Sequence, residues 1–178
     1  MTGEKMLSSR TVFNGRAVKL RVDTVETADG RESTREIVEH IDCVVIAALD
    51  ENDNILLVRQ YREAVKKELL EMPAGGIDPG EDAETAVLRE MQEETGYLPG
   101  KVERLGGFYS APGYCTEYLY LYLVTDLTPS QLYAEDTAGI SLVRVPVKEI
   151  PALLASDRIE DAKSIAGLYM FLEHRKSG

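Results

Sequence analysis

Apolar and polar positions alternate first near the N-terminus. Val18, Leu20 and Val22 alternate with polar residues, Val25 follows after a shift, and Arg35 to His40 resumes an extended pattern beyond Asp29-Gly30. A turn dipeptide between two extended stretches predicts a β-hairpin. The unbroken apolar run from Cys43 to Leu49 predicts a strand covered on both faces. A turn over Glu51 to Asn54 leads to a strand at Ile55 to Tyr61, and a short extended piece near Leu69 to Met72 runs into Pro73-Ala74-Gly75-Gly76, where a loop is expected. Glu81 to Thr95 reads as a helix closed by Gly96 and kept from continuing by Pro99-Gly100. Strands are expected at about Val102 to Tyr109, Tyr118 to Thr125 and Ser141 to Val145, and helices at about Val147 to Ala155 and Asp161 to His174. Strands and helices mix without strict alternation, so the expectation is an α/β fold with a mixed sheet between helices. No repeat or linker interrupts the pattern from about Arg10 onward, and one domain over residues 1–178 is expected.

Composition narrows the function classes. A net charge of −11 argues against a surface that grips nucleic acid or an anionic membrane, because each phosphate contact calls for Lys or Arg. A small anionic substrate stays open if local cations neutralise it. Cys43 and Cys115 are too few for a disulfide framework, and the start of the chain, Met1 to Lys5, has no apolar signal core, so a reducing cytoplasm is expected. The longest apolar run falls far short of the roughly 20 residues a membrane helix needs, and no membrane partner is expected.

The segment Arg89-Glu90-Met91-Gln92-Glu93-Glu94 carries the candidate chemistry. A charge run is usually a solvated helix face, but two features oppose that reading here. Glu93 and Glu94 fall in the last turn before Gly96, where anions oppose the helix dipole. At about 100° per residue, Glu90 and Glu94 are only about 40° apart and share a stripe with Ala83, Ala86 and Val87, the face that should point inward. Carboxylates drawn inward at i and i+4 repel one another and lose hydration, so they need a cation. A hard divalent metal with oxygen ligands supplies one. Glu93 offers a third carboxylate on the flank, and Arg89 can neutralise or orient one of them. Glu81, at the helix start, favours the dipole and suits a structural role. Upstream, Ala74-Gly75-Gly76 allows close backbone approach, and a carbonyl there could complete a metal shell. Taken alone, that loop would be an ordinary strand-to-helix turn.

The same residues resemble the Nudix box: Gly75, five spacers, Glu81, seven spacers, Arg89-Glu90, apolar Met91, a spacer, Glu93-Glu94, a spacer, Gly96 and apolar Tyr97. Every defining position of the box, residues 75–97, is filled. The resemblance to the ADP-ribose pyrophosphatase branch of that family runs from about Thr11 to Leu172. Leu70-Glu71-Met72-Pro73-Ala74-Gly75 is similar to the branch's approach to the box, and Val58-Arg59-Gln60-Tyr61-Arg62 to its preceding strand. Ser110-Ala111-Pro112-Gly113-Tyr114-Cys115-Thr116-Glu117 resembles its Ser-Pro-Gly loop, with Ala111 interrupting the Ser-Pro pair.

The resemblance implies a Nudix-type α/β/α sandwich with a mixed sheet and an N-terminal β-hairpin extension. It implies metal ligation by Glu90 and Glu94, support from Glu93, and a carbonyl ligand from Ala74, with Mg²⁺ or Mn²⁺ as the cofactor. Glu117 matches a loop glutamate that contacts the water and metals, Gly113 belongs to the same substrate loop, and Arg62 matches an arginine near the diphosphate. It also implies a homodimer that exchanges N-terminal strands, about residues 10–40, with Glu36 helping to read adenine.

The expected reaction is hydrolysis of a diphosphate in a nucleoside diphosphate-linked compound, ADP-ribose first, giving AMP and ribose 5-phosphate. Metal ions neutralise the diphosphate and activate a water, and a carboxylate, Glu93 or Glu117, takes its proton. Arg89 is grouped with these two as a catalytic candidate. Sequence does not rank Glu93 against Glu117. Three rival readings compete with this one: another substrate of the same kind of enzyme (a different nucleoside diphosphate sugar, a dinucleoside polyphosphate or an oxidised nucleoside triphosphate), a ligand-sensing module without catalysis, and a plain structural domain with an acidic surface helix, which fails to explain acids on the inward stripe. Glu117 in its Pro-Gly loop favours the diphosphate class over triphosphates, and the intact box carboxylates count against the sensor. His40 and His174 read as structural or surface residues.

Overall fold

A computed structural model describes residues 3–134 and 137–177. Backbone contacts divide them into two compact units, one running up to Asp42 and including Tyr109–Tyr118, the other formed by Cys43–Phe108 and the chain from Leu119 onward.

The first unit is a three-stranded antiparallel sheet, ordered β1 (Lys5–Asn14), β2 (Lys19–Glu26), β3 (Glu32–Glu39). The expected hairpin is β2–β3, turning at Gly30, whose φ of 80° suits glycine and whose N–H donates to the Thr27 carbonyl. Strand β1 departs from the expectation. It adds a third strand starting at Lys5, paired among the described residues only with β2 and exposed along its whole length. With neither face covered in a single chain, β1 has no burial to impose alternation, and periodicity could not reveal it. The loop 110–117 closes on the end of β3 through Val38 N–H to Tyr114 O at 2.8 Å and Thr116 N–H to Val38 O at 3.0 Å.

The second unit is built on a sheet whose main path is β10-β5-β4-β9-β8, with β6 joined to β5 and β7 to β4. The strands are β4 (Cys43–Leu49), β5 (Asn54–Arg62), β6 (Lys67–Glu71), β7 (Ala74–Gly76), β8 (Tyr97–Tyr109), β9 (Tyr118–Pro129) and β10 (Ser141–Pro146). The sheet is mixed: β4 runs parallel to β9 and antiparallel to β5 and β7. As expected, β4 is covered on both faces, and its period of two sends alternate residues into two cores. Val45 and Ala47 join Leu57, Leu121, Ile150, Leu168 and Phe171 under helices α2 (Ile150–Leu154) and α3 (Ala162–Ser177). Val44, Ile46 and Ala48 join Leu56, Val124, Ala86, Val87 and Met91 under α1 (Ala83–Glu90). Helices therefore cover both faces, as the α/β/α expectation required.

Three local findings revise the predicted elements. Ala74–Gly76 is a short strand rather than open loop, because β4 leaves its edge at Cys43–Val45 free for pairing. The box helix starts at Ala83, after Asp82 accepts the Thr85 N–H at 2.8 Å, and widens into a π-turn over Met91–Thr95 before Gly96 ends it at φ 77°. Pro99 and Gly100 lie inside β8, the outermost strand of the main path, where a missing N–H is tolerated. Among the described residues no helix is long and apolar enough to cross a membrane.

Candidate active site

The box carboxylates face β7. Glu90, 8% exposed, lies so close to Gly75 that a Cβ there would sit 1.9 Å from the carboxyl carbon. Only glycine fits, because any side chain would displace the carboxylate. Glu94 reaches the same strand through the π-turn and accepts the Ala74 N–H at 3.0 Å. The wider turn thus aims Glu94 at the strand carrying Ala74 while Met91 and Thr95 stay buried. π-turns are found frequently at functional sites.

Arg89 organises the cluster with all its donors in use. Nε and Nη2 pair with Glu81 at 3.0 and 2.9 Å, Nη2 also donates to the Gly76 carbonyl at 2.8 Å, and Nη1 reaches Glu90 at 2.6 Å and Glu93 at 3.2 Å. Glu81, held further by the Asp78 N–H at 3.0 Å, orients the guanidinium. Its pairing with Glu81 raises the Arg89 pKa despite burial, so the charge is permanent.

One guanidinium does not balance four carboxylates. Burial pushes the Glu90 carboxyl up, an effect the Arg89 contact only partly reverses. Glu94 is pushed up to about 8, first by burial and then by the Glu90 charge, with the Ala74 N–H and the more distant Lys163 and Arg62 acting in the other direction. Oxygen donors that resist ionisation until a cation arrives fit a hard divalent metal. Glu90 and Glu94 would hold it, with the Ala74 carbonyl and Glu93 beside them.

The other candidates are placed as follows. Arg62, at the end of β5, forks onto Glu71 through Nε at 2.8 Å and Nη2 at 2.7 Å. Glu117 belongs to the first unit, where its Oε1 lies 3.5 Å from His40 Nδ1. His40 was read from sequence as structural or surface, and no local signal tied it to a glutamate 77 positions away. Glu36 is exposed on β3, and Gly113 is exposed in the loop 110–117. Sequence reasoning also missed the role of Glu71, Asp161, Lys163 and Ser164, which join β6 to α3. Lys163 Nζ pairs with both Glu71 and Asp161, and Ser164 Oγ accepts the Met72 N–H at 2.7 Å.

Comparison with known proteins gives the same class. A family model described as NUDIX domain matches residues 39–168, and one described as nucleoside diphosphate sugar hydrolase N-terminal domain matches residues 4–38. The chain belongs to the Nudix family. It is similar to the methanol dehydrogenase activator of Bacillus methanolicus, with 35% identity over 91% of this chain and 89% of the relative. It is likewise similar to the ADP-ribose pyrophosphatase of Bacillus subtilis, with 31% identity over 90% and 88%. A crystal structure of an ADP compounds hydrolase superposes with a TM-score of 0.90, covering 98% of this chain and 95% of that one at 24% identity, which shows the shared fold.

Proposed function

We propose that this chain is a Nudix pyrophosphohydrolase that cleaves ADP-ribose into AMP and ribose 5-phosphate with the help of Mg²⁺ or Mn²⁺. The observation that carries this reading is the pair Glu90 and Glu94, turned toward Ala74–Gly76, where among the described residues Arg89 touches Glu90 and no cation touches Glu94. A divalent cation bound there would neutralise the diphosphate and make a water nucleophilic near neutral pH. The protein's own tasks are then distinct. Glu90 and Glu94 fix the cation, Arg89 holds Glu90 and Glu93 in register, and Arg62 offers cationic donors to the diphosphate. Either Glu93 or Glu117 accepts the proton of the attacking water, and Gly113 is assigned to substrate binding. The choice of an ADP-linked substrate is supported by the names of the relatives and by the N-terminal match to nucleoside diphosphate sugar hydrolases.

The test is product analysis. Incubated with ADP-ribose and Mg²⁺, the protein is expected to yield AMP and ribose 5-phosphate, with no turnover after exhaustive chelation. Undiminished turnover without divalent metal would refute the metal assignment, and preference for another nucleoside diphosphate sugar would relocate the substrate.

In this reading the chain works as one functional domain in a homodimer built through its N-terminal strands, about residues 10–40, with Glu36 near adenine. Support comes from β1, whose Met6 and Phe13 are 62% and 56% exposed in the single chain. Cys43 and Cys115 form no disulfide with one another, which suits a reducing cytoplasm. A monomer with full activity at micromolar concentration in light scattering would refute the dimer.

A further inference from the structure

A second ionic cluster joins Arg62, which the proposed chemistry uses, to Glu71, Lys163 and Asp161, which it does not. Glu71, the last residue of β6, is 1% exposed. Both its oxygens accept from the Arg62 fork, and Oε2 also accepts from Lys163. Lys163 sits in the first turn of α3 and is held in place by Asp161 Oδ2 at 2.7 Å. Asp161 in turn caps that helix, accepting the Ser164 N–H at 3.1 Å and its hydroxyl at 2.6 Å. Helix α3 packs tightly enough on this corner that a Cβ at Gly167 would lie 2.6 Å from Met72 Sδ. The corner is held by contacts from Arg62, from Lys163 and from Ser164 on Met72.

The fork occupies Nε and Nη2 of Arg62, and among the described residues Nη1 has no hydrogen-bond partner, while the side chain is 40% exposed. A guanidinium gripped along one edge by a buried carboxylate is held in the plane of that fork, which leaves its other edge available to donate elsewhere. Glu71 stands three positions before Ala74, whose N–H donates to Glu94 at 3.0 Å, so the cluster adjoins the strand that the box carboxylates face.

We propose that Glu71 and Lys163 are positioning residues for substrate: Lys163 secures Glu71, and Glu71 locks the Arg62 guanidinium with its Nη1 edge turned outward to receive diphosphate oxygens. The inference rests on the diphosphate-hydrolase reading above. Its consequence is a split between binding and turnover. Losing the lock returns rotamer freedom to Arg62, which must be given up again at each binding event, so affinity falls while the metal-bound chemistry is left in place.

The experiment is steady-state hydrolysis of ADP-ribose at saturating Mg²⁺ by wild type, Glu71→Gln, Lys163→Met and Lys163→Arg, with thermal melting and Mg²⁺ midpoints for each. The expected result is a rise in KM of about tenfold for Glu71→Gln, with kcat changed by less than about threefold and the Mg²⁺ midpoint unmoved. Lys163→Met should raise KM less, and Lys163→Arg should restore it. If Glu71→Gln does not fold, Lys163→Met carries the test. Folded variants with lowered melting temperature and wild-type KM would overturn the proposal, leaving the cluster a structural tie. A wild type that turns over no nucleoside diphosphate sugar would instead overturn the underlying reading and the proposal with it.

Discussion

Glu71 and Glu94 are drawn into the same sheet-and-helix unit, yet their surroundings differ in one respect. Glu71 touches two cations, Arg62 and Lys163, and although burial pushes its carboxyl up, those partners hold it below the ordinary carboxylate range. Glu94 touches no cation among the described residues, accepts one backbone N–H, and is pushed up to about 8. Burial alone therefore does not mark a functional acid. A buried carboxylate with its counter-ions supplied by the chain is complete, whereas one without them is a place for a cation to arrive.

The largest expected effect comes from removing the incomplete carboxylate. Glu94→Gln should lower kcat by several powers of ten at saturating Mg²⁺ while circular dichroism shows a retained fold, because it removes ligand charge and keeps size. A variant with near wild-type kcat would show that Glu94 is not a ligand. Next come the two candidate bases. Glu117→Gln should cost about 10²- to 10⁴-fold in kcat with little change in metal dependence, and Glu93→Gln should cost less. The reverse order would give the proton to the helical carboxylate, and a normal rate for Glu117→Gln would make it an ordinary loop residue.

The smallest effects sharpen the contrast most, because the same substitution should act with opposite signs. Glu71→Gln, which strips a buried partner from Lys163 and a half-exposed Arg62, should destabilise by roughly 2–3 kcal/mol in urea unfolding. Glu94→Gln should stabilise the metal-free protein, because it removes an acid whose ionisation burial and the Glu90 charge oppose in the folded state. Their pH dependence differs likewise. Glu71 has a depressed folded pKa, so its contribution is present above the unfolded value and lost as pH falls through the folded one. Glu94 has a raised folded pKa, so its contribution is present below the unfolded carboxylate value and lost as pH rises through about 8. The metal-free wild type should accordingly melt lower at pH 9 than at pH 6, and Glu94→Gln should flatten that trend. Parallel slopes for the two proteins would remove the electrostatic distinction.

Much of this site was legible along the chain because its parts are local. The spacing from Gly75 to Gly96 is fixed by one turn and one helix, and the placement of Glu90 on the inward stripe followed from helical geometry. Strand β4 was equally plain, since burial on both faces leaves an unbroken apolar run. What sequence could not show depends on distant partners. Residues 74–76 became a strand only because β4 offers them an edge, and the π-turn that aims Glu94 departs from the regular period on which the stripe was drawn. Glu71 carried a faint signal, a lone acid among Leu69, Leu70 and Met72, but its partner Lys163 lies 92 positions away. Similarly, β1 has no periodicity to read because nothing in a single chain covers it.

The central claim, that Glu90 and Glu94 await a divalent cation, is tested most directly by calorimetric titration of Mn²⁺ into wild type and Glu94→Gln in buffers of different ionisation enthalpy. If Glu94 holds a proton until metal displaces it, wild type should bind Mn²⁺ at pH 7 with release of about one proton, falling toward none by pH 9. Glu94→Gln should bind far more weakly and release none. Saturable binding of equal affinity in both proteins, or no binding in wild type, would contradict the account.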